Sequence, residues 1–110
     1  MNYIQAEKIR SQRNIRLSQY QNIQDALLDP DFQVESPDEV ILVLSKYGTL
    51  YELNLLAAYI WELLIEPKTI KNLAQFVAEI FDIDITTATN DASEIMNNFE
   101  DLGLVKSNDE

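Results

Sequence analysis

The stretch LNLLAAYIWELL, residues 53–64, decides the fold of this 110-residue chain. Asn54 is a good helix N-cap, because its side chain can accept a hydrogen bond from the first turn of a helix. The apolar residues that follow recur at helical spacing, and they are Leu56, Ala57, Ile60, Trp61 and Leu64. Glu66-Pro67-Lys68 then closes the segment. The stretch therefore predicts an amphipathic helix that packs its Trp61 side into a core.

Two more helices are predicted after this one. Thr69 caps the first of them, whose apolar stripe is Ile70, Leu73, Ala74, Val77, Ile80 and Phe81. Asp82-Ile83-Asp84 breaks it, and Thr86 or Thr87 starts the next helix. The inward residues of that helix are Ala88, Ala92, Ile95, Met96, Phe99 and Leu102. Gly103 ends it at a left-handed position, after which Leu104 and Val105 can pack back.

Upstream of residue 53 the period changes from helical to extended. Three β-rich runs, Phe32–Glu35, Val40–Ser45 and Thr49–Leu53, are separated by turn residues and predict a three-stranded antiparallel meander. Residues 40–44 are apolar at every position, whereas an antiparallel strand with one face in water alternates. Something must cover the second face, and three candidates remain: the N-terminal helix, a second copy of the chain in a homodimer, or a partner protein.

The N-terminal segment is predicted to be an extension of this domain. Apolar residues at Leu17, Tyr20, Ile23, Leu27 and Leu28 predict a helix near residues 16–28, which Asp29-Pro30-Asp31 ends. The first fifteen residues are expected to be a frayed arm. Half of the positive charge of the chain lies at this end, on Lys8, Arg10, Arg13 and Arg16.

The domain organisation follows from these segments. We expect a basic arm and helix over residues 1–30, a compact domain over 31–106 and a disordered tail over 107–110. The predicted fold class is α+β: a winged-helix-like domain with a three-stranded antiparallel meander followed by three helices, plus an N-terminal helical extension.

Composition narrows the function. Eight Lys and Arg against 19 Asp and Glu give a net charge of −11, which disfavours nucleic acid and anionic membranes as partners. The chain has no Cys and no His, so we expect no metal site, no cofactor, no catalytic residue and no enzyme activity. The pairs Asp29/Asp31 and Asp82/Asp84 are interpreted as turn residues. The longest apolar run is too short to span a bilayer, and the expected location is the cytoplasm.

An ordered set of motifs resembles the PqqD family over roughly residues 39–106. The set consists of residues 53–64, Lys68-Thr69-Ile70 with Leu73-Ala74, Phe81-Asp82-Ile83-Asp84, Asp91, Phe99 and Leu102-Gly103-Leu104-Val105. Two departures are visible: Glu66-Pro67 stands where the family often has a glycine, and the first thirty residues have no counterpart. The second leaves the role of the basic arm open.

The resemblance implies a RiPP recognition element, a stand-alone module that binds the leader segment of a ribosomally made precursor peptide. It further implies that the leader adds as an extra strand between the last strand and the third helix, for presentation to a separate modifying enzyme such as a radical SAM maturase or a leader protease. The predicted peptide-binding residues are Thr49, Leu50, Tyr51, Glu52, Leu53, Asp91, Glu94, Ile95 and Asn98.

Which side of the third helix lines this groove is left open by a helical wheel. Asp91, Glu94 and Asn98 lie on one shoulder, and Thr89, Ser93 and Met96 lie on the other. We favour the first shoulder with Ile95, because carboxylates beside an apolar step could hold basic leader residues.

The alternative function is a winged-helix DNA-binding transcriptional regulator. It requires a basic recognition helix, whereas the sequence has no Lys or Arg between residues 72 and 105. The leader-binding hypothesis is therefore preferred.

Overall fold

Four helices and five short strands make up the part of the chain that the computed structural model describes, residues 2–6, 9–13, 17, 19–32, 41–44 and 50–107. The strands are β1 (Tyr3–Gln5), β2 (Arg10–Arg13), β3 (Ile41–Leu44), β4 (Leu50–Leu53) and β5 (Val105–Ser107). The helices are α1 (Ile23–Leu28), α2 (Leu55–Leu63), α3 (Ile70–Phe81) and α4 (Ile85–Asp101). The predicted α+β class and the three C-terminal helices are confirmed.

Side-chain caps fix the starts of the three long helices. Asn54 Oδ1 accepts the Ala57 N–H at 2.9 Å, as predicted for α2. Thr69 and Asn72 form a reciprocal capping box at the start of α3. The predicted start of α4 at Thr86 or Thr87 is wrong by one or two residues, because Asp84 is its N-cap.

Left-handed residues end the last two helices. Asp82 stops α3 with a φ of 54°. Gly103 follows α4 with a φ of 72°, its N–H bonds the carbonyl of Glu100, and the Leu104 N–H bonds the carbonyl of Phe99. These two bonds form a Schellman motif, so the predicted role of Gly103 is confirmed.

The main sheet has three antiparallel strands in the order β2-β3-β4. Arg10–Arg13 therefore occupies the position expected for Phe32–Glu35. Phe32 itself is not in a strand, and residues 33–40 lie outside the described part of the chain, as do the expected turn at 46–48 and Thr49. The three-strand meander is thus not confirmed, since the third strand comes from the N-terminal segment.

The expectation of a frayed arm is wrong for residues 3–5 and 10–13. β1 pairs with β5 in a second, two-stranded antiparallel sheet, and Tyr3 also exchanges two backbone hydrogen bonds with Lys68. Tyr3 is only 9% exposed. Ser107, placed in the expected disordered tail, is the last residue of β5, while residues 108–110 lie outside the description.

Of the predicted helical span 16–28, Leu17 is helical, residues 19–22 form a turn and bends, and a further helical segment, α1, covers Ile23–Leu28. It begins at Ile23, because Asn22 caps it, and Asp29 ends it. Its main helix contacts are with α2 and α3, and Ile23 and Ala26 are fully buried. This helix was one of three candidates to cover the second face of the apolar strand, and it instead packs into the core formed by the other helices.

One hydrophobic core contains residues from every helix. Its largest fully buried side chains are Trp61, Tyr59, Leu17, Ile23, Ile60, Leu64, Leu73, Met96, Leu104 and Val77. The predicted core positions of Ile60, Trp61 and Leu64 are confirmed.

Candidate functional site

β4 is an edge strand of the main sheet. It pairs with β3 along one side, with Tyr51 opposite Val43 and Leu53 opposite Ile41. Among the described residues no strand pairs with its other side. An unpaired edge presents a row of backbone N–H and C=O groups, which can template an added strand.

Burial shows how β4 is oriented. Leu53 is 6% exposed, Tyr51 is half-buried against the core, and Glu52 between them is exposed. Residues of an antiparallel strand alternately direct their N–H and C=O groups toward and away from the paired strand. Either Tyr51 or Glu52 therefore directs its backbone N–H and C=O groups toward β3. The other directs them away from β3, at the free edge.

α4 is the second element of the predicted site, and its ends are firmly held. Asp84 accepts both the backbone N–H and the hydroxyl of Thr87, at 2.9 and 2.8 Å. These hydrogen bonds to the ionised form hold the pKa of Asp84 below its usual value. With the Schellman motif at Gly103, both termini of the helix are fixed.

One flank of α4 carries the favoured binding residues. Asp91 and Ile95 are half-buried, and Ile95 packs against the core. Glu94 and Asn98 are exposed one helical step farther out. This flank therefore offers two carboxylates beside an apolar contact.

On the opposite shoulder of α4, one of the three residues that were predicted to lie there is elsewhere. Thr89 is exposed and its hydroxyl donates to the carbonyl of Ile85 at 2.7 Å, while Ser93 is half-buried. Met96 is fully buried, so its assignment to a groove shoulder is wrong, although its inclusion among the inward residues is confirmed. On the wheel Met96 lies about 20° from Thr89 and about 40° from Ala92, so it borders both the shoulder and the core, and packing places it in the core.

α2 follows β4 in the chain and contacts α4 through its side chains. Asn54, which caps α2, directly follows β4, and the Trp61 ring meets the Phe99 ring of α4 edge-on at a centroid distance of 6.0 Å. Leu53, Tyr51 and Ile95 border the same hydrophobic core. The free edge and the acidic flank are thus both held by one packed unit.

The family model described as coenzyme PQQ synthesis protein D (PqqD) matches residues 32–105, about two thirds of the chain. The chain belongs to the PqqD family. The predicted resemblance is thereby confirmed. No curated protein and no solved structure gives a significant match.

Membership in the PqqD family sets the general function. The family comprises non-catalytic accessory proteins that bind peptides and work with enzymes of ribosomal-peptide biosynthesis. It gives no support to the DNA-binding alternative. Within the described ranges, no helix combines the length and the apolar character needed to cross a membrane.

The two aspartate pairs have structural partners in this PqqD-family chain. Asp29 accepts the Asp31 N–H at 2.9 Å and the Tyr20 hydroxyl at 2.8 Å, and both bonds lower its pKa. Asp82 and Asp84 end one helix and begin the next. No group of three acidic side chains suited to a metal ion occurs in the part of the chain that is described.

One concave surface among the described residues was not predicted. It is a cavity of about 390 Å³ where β1, α1 and the end of α2 meet, and its lining includes Gln5, Gln24, Glu62, Leu63 and Ile65. One sequence signal could have indicated it, because Glu62 is the only charged residue between 53 and 65.

Proposed function

We propose that this PqqD-family protein is a non-enzymatic adaptor that binds the leader segment of a ribosomally made precursor peptide along β4. The leader adds as a strand to the free edge, rests against the α4 flank of Asp91, Glu94, Ile95 and Asn98, and is presented to a separate modifying enzyme. The observation that carries the proposal is that no strand of the described part of the chain pairs with the outer edge of β4.

Backbone and side chains have different roles in this proposal. Main-chain hydrogen bonds from residues 49–53 supply affinity without regard to leader sequence. Selectivity comes from Ile95, which offers apolar contact, and from the carboxylates of Asp91 and Glu94, which favour basic leader residues. Exposed Glu52 adds a further negative charge beside the edge.

The partners and setting belong to the same proposal. The modifying enzyme is a radical SAM maturase or a leader protease, the location is the cytoplasm, and α2–α4 with the main sheet form a winged-helix-like unit. Residues 41–44 of β3 are all apolar, and one face of this strand contacts either a second copy of the chain or the partner protein. α4 carries no Lys or Arg, so we do not propose DNA binding.

A pair of proline variants tests strand addition. Tyr51→Pro and Glu52→Pro each remove one N–H, and the alternation of the ladder means that only one of them breaks pairing with β3. We expect one variant to melt at a lower temperature and the other to keep the wild-type melting temperature while losing affinity for the leader encoded beside this chain. If the variant that keeps its stability also keeps its affinity within twofold, strand addition at β4 is wrong.

Charge reversal on α4 provides the second test. It remains informative if the proline variants do not fold. Asp91→Lys or Glu94→Lys should weaken leader binding by about 1–3 kcal/mol, or roughly 5- to 150-fold, if a charge-assisted hydrogen bond is lost. Thr89→Lys is the matched control on the other shoulder and should have little effect. If only Thr89→Lys weakens leader binding, the groove lies on the other shoulder. If none of the variants changes leader binding, α4 is not part of the site.

A further inference from the structure

The register of the main sheet shows which residues share a face with Glu52. Residues directly opposite each other in neighbouring antiparallel strands lie on one face, and so do alternate residues along each strand. Two rows of three residues therefore lie on the Glu52 face, one residue from each strand in each row. We call these positions the outer sheet face, and they are Gln12, Leu42 and Glu52 in one row and Arg10, Leu44 and Leu50 in the other.

The outer sheet face lies on the side of the sheet away from the helices. Leu53, which is 6% exposed, and half-buried Tyr51 pack against the core, so the core lies on their face. Glu52 between them is exposed, in agreement with the alternation of the strand. An antiparallel sheet face that meets water is mostly polar, whereas three of the six positions of the outer sheet face are leucine. A further surface is therefore expected to cover it.

Two opposite charges stand at diagonal corners of the outer sheet face. Arg10 lies on β2 and Glu52 on β4, two strands apart and in different rows. With about 4.8 Å between strands and about 6.8 Å between rows, their Cα atoms are roughly 12 Å apart. Leu42 and Leu44 lie between these two corners, on the central strand.

This diagonal arrangement is complementary to itself. In a symmetric dimer, a twofold axis in the plane of the interface and perpendicular to the line from Arg10 to Glu52 exchanges the two corners. Arg10 of each copy then lies over Glu52 of the other, and leucine positions meet at the centre. The strands of the two sheets cross at roughly 70°, which is close to the orthogonal class of sheet packing. The outer sheet face has one positive and one negative residue, so like charges do not meet there although each chain carries −11.

We propose that the outer sheet face is the interface of a homodimer, in which two pairs of Arg10 and Glu52 flank a centre of leucine residues. This inference chooses one of the two candidates that remain for the second face of β3, and it does not require a leader at β4. The described part of the face measures roughly 14 by 14 Å, since it spans three strands and four residues. That is smaller than the typical interface of about 800 Å² per partner, so we expect a dissociation constant in the micromolar range.

The test measures the oligomeric state of the full-length chain by sedimentation velocity, over roughly 1 μM to 1 mM. Arg10→Glu and Glu52→Arg each place like charges at both corners of the interface, whereas the double variant R10E/E52R exchanges the charges and restores both pairs. Leu42→Ser removes an apolar contact at the centre. Ile65→Ser is its matched control, because Ile65 is 68% exposed and lies outside the main sheet. Melting curves check that every variant is folded.

We expect the wild-type chain to dimerise and each single charge reversal to raise the dissociation constant at least tenfold. The double variant should return to within threefold of the wild-type value. Leu42→Ser should weaken the dimer at least tenfold, and Ile65→Ser should change it less than twofold. Arg10→Glu should leave leader affinity within twofold, because Arg10 is at the opposite edge of the sheet from β4.

Crosslinking decides the question if a charge reversal does not fold. The chain has no cysteine, so a single introduced thiol is unique. Packed sheets lie about 10 Å apart, a distance that a short bismaleimide spans. A mixture of Arg10→Cys and Glu52→Cys chains should therefore crosslink faster than either variant alone.

Each contrary result has a distinct meaning. A wild-type chain that stays monomeric up to the highest concentration overturns the homodimer, and loss of enzyme binding by Leu42→Ser would then assign the face to the modifying enzyme. A wild-type dimer that the double variant does not restore, without preferential crosslinking in the mixture, uses another surface, and the proposal is again wrong. A wild-type chain that dimerises as expected but does not bind the leader encoded beside it overturns the proposed function instead.

Discussion

Replacing Tyr59 with phenylalanine should stabilise this protein. Tyr59 is 1% exposed, and its ring packs edge-on against Phe81 at a centroid distance of 6.0 Å. Within the described residues its hydroxyl is the buried side-chain polar atom that has no hydrogen-bond partner. The ring contacts survive in Tyr59→Phe, and only the unpaired hydroxyl is removed.

The size of the gain follows from two opposing terms. A buried hydroxyl without a partner costs about 1–3 kcal/mol of desolvation. The void left by one oxygen, about 10 Å³, costs about 0.2 kcal/mol at roughly 24 cal/mol per Å³. We therefore expect the free energy of unfolding to rise by about 0.8–2.8 kcal/mol, with a melting temperature higher by roughly 4 °C per kcal/mol.

Urea unfolding monitored by Trp61 fluorescence measures this change, since Trp61 is the single tryptophan and is buried. Tyr20→Phe is the matched control. The Tyr20 hydroxyl donates to Asp29 at 2.8 Å, so its removal should lower stability by about 0.5–1.5 kcal/mol. The same chemical change should thus have opposite signs at the two positions.

Alkaline pH adds an independent check. Burial, together with the negative charge of Glu79, raises the pKa of Tyr59 to about 12. Between its usual pKa of about 10 and this value, the folded state holds a proton that the unfolded state has lost, so wild-type stability falls as pH rises. Tyr59→Phe lacks this loss, and its advantage should widen over that range. The reasoning would be refuted if Tyr59→Phe lowered the free energy of unfolding by more than 1 kcal/mol and the difference from wild type did not change at alkaline pH.

Three further predictions concern the fold. Tyr3→Ala should cost about 3 kcal/mol in urea unfolding, because the side chain is buried, whereas a frayed arm would show no change. Gly103→Ala should cost about 1 kcal/mol from its φ of 72° alone, since no atom lies within 4 Å of the added Cβ, and Gly103→Asn should cost less by the same measurement. The lowered pKa of Asp84 means that its stabilisation is present above its usual pKa and is lost as pH falls through the lowered value. Asp84→Asn keeps an acceptor for the Thr87 N–H, so acid unfolding curves should show a smaller loss for this variant; an unchanged loss would contradict that role.

The position of strand β4 was predictable from the sequence. Which of its backbone N–H groups point to the free edge was not. The extended pattern before Asn54 predicted a last strand over residues 49–53, and the structure has β4 at Leu50–Leu53. Which of Tyr51 and Glu52 points its N–H outward depends on the register against β3. On α4, the helical wheel identified Asp91 and Glu94 as one flank, but it assigned Met96 both to the core and to the other shoulder, and packing decides for the core.

The sequence by itself determined those features of this protein that depend only on residues close together in the chain. Asn54, Thr69 and Gly103 set helix boundaries through bonds within four or five residues, so their roles could be derived from spacing. The ordered set of motifs from residue 53 to residue 105 was enough to indicate the family.

The tertiary structure alone decided how the two ends of the chain are used. Nothing in the polar run Arg10-Ser11-Gln12-Arg13 predicts a strand, and its pairing with β3 joins residues about thirty positions apart. β1 pairs with β5 across nearly the whole chain. Such pairings are selected by the unpaired backbone groups of a distant strand and by burial of residues such as Tyr3, and neither is visible in a local pattern.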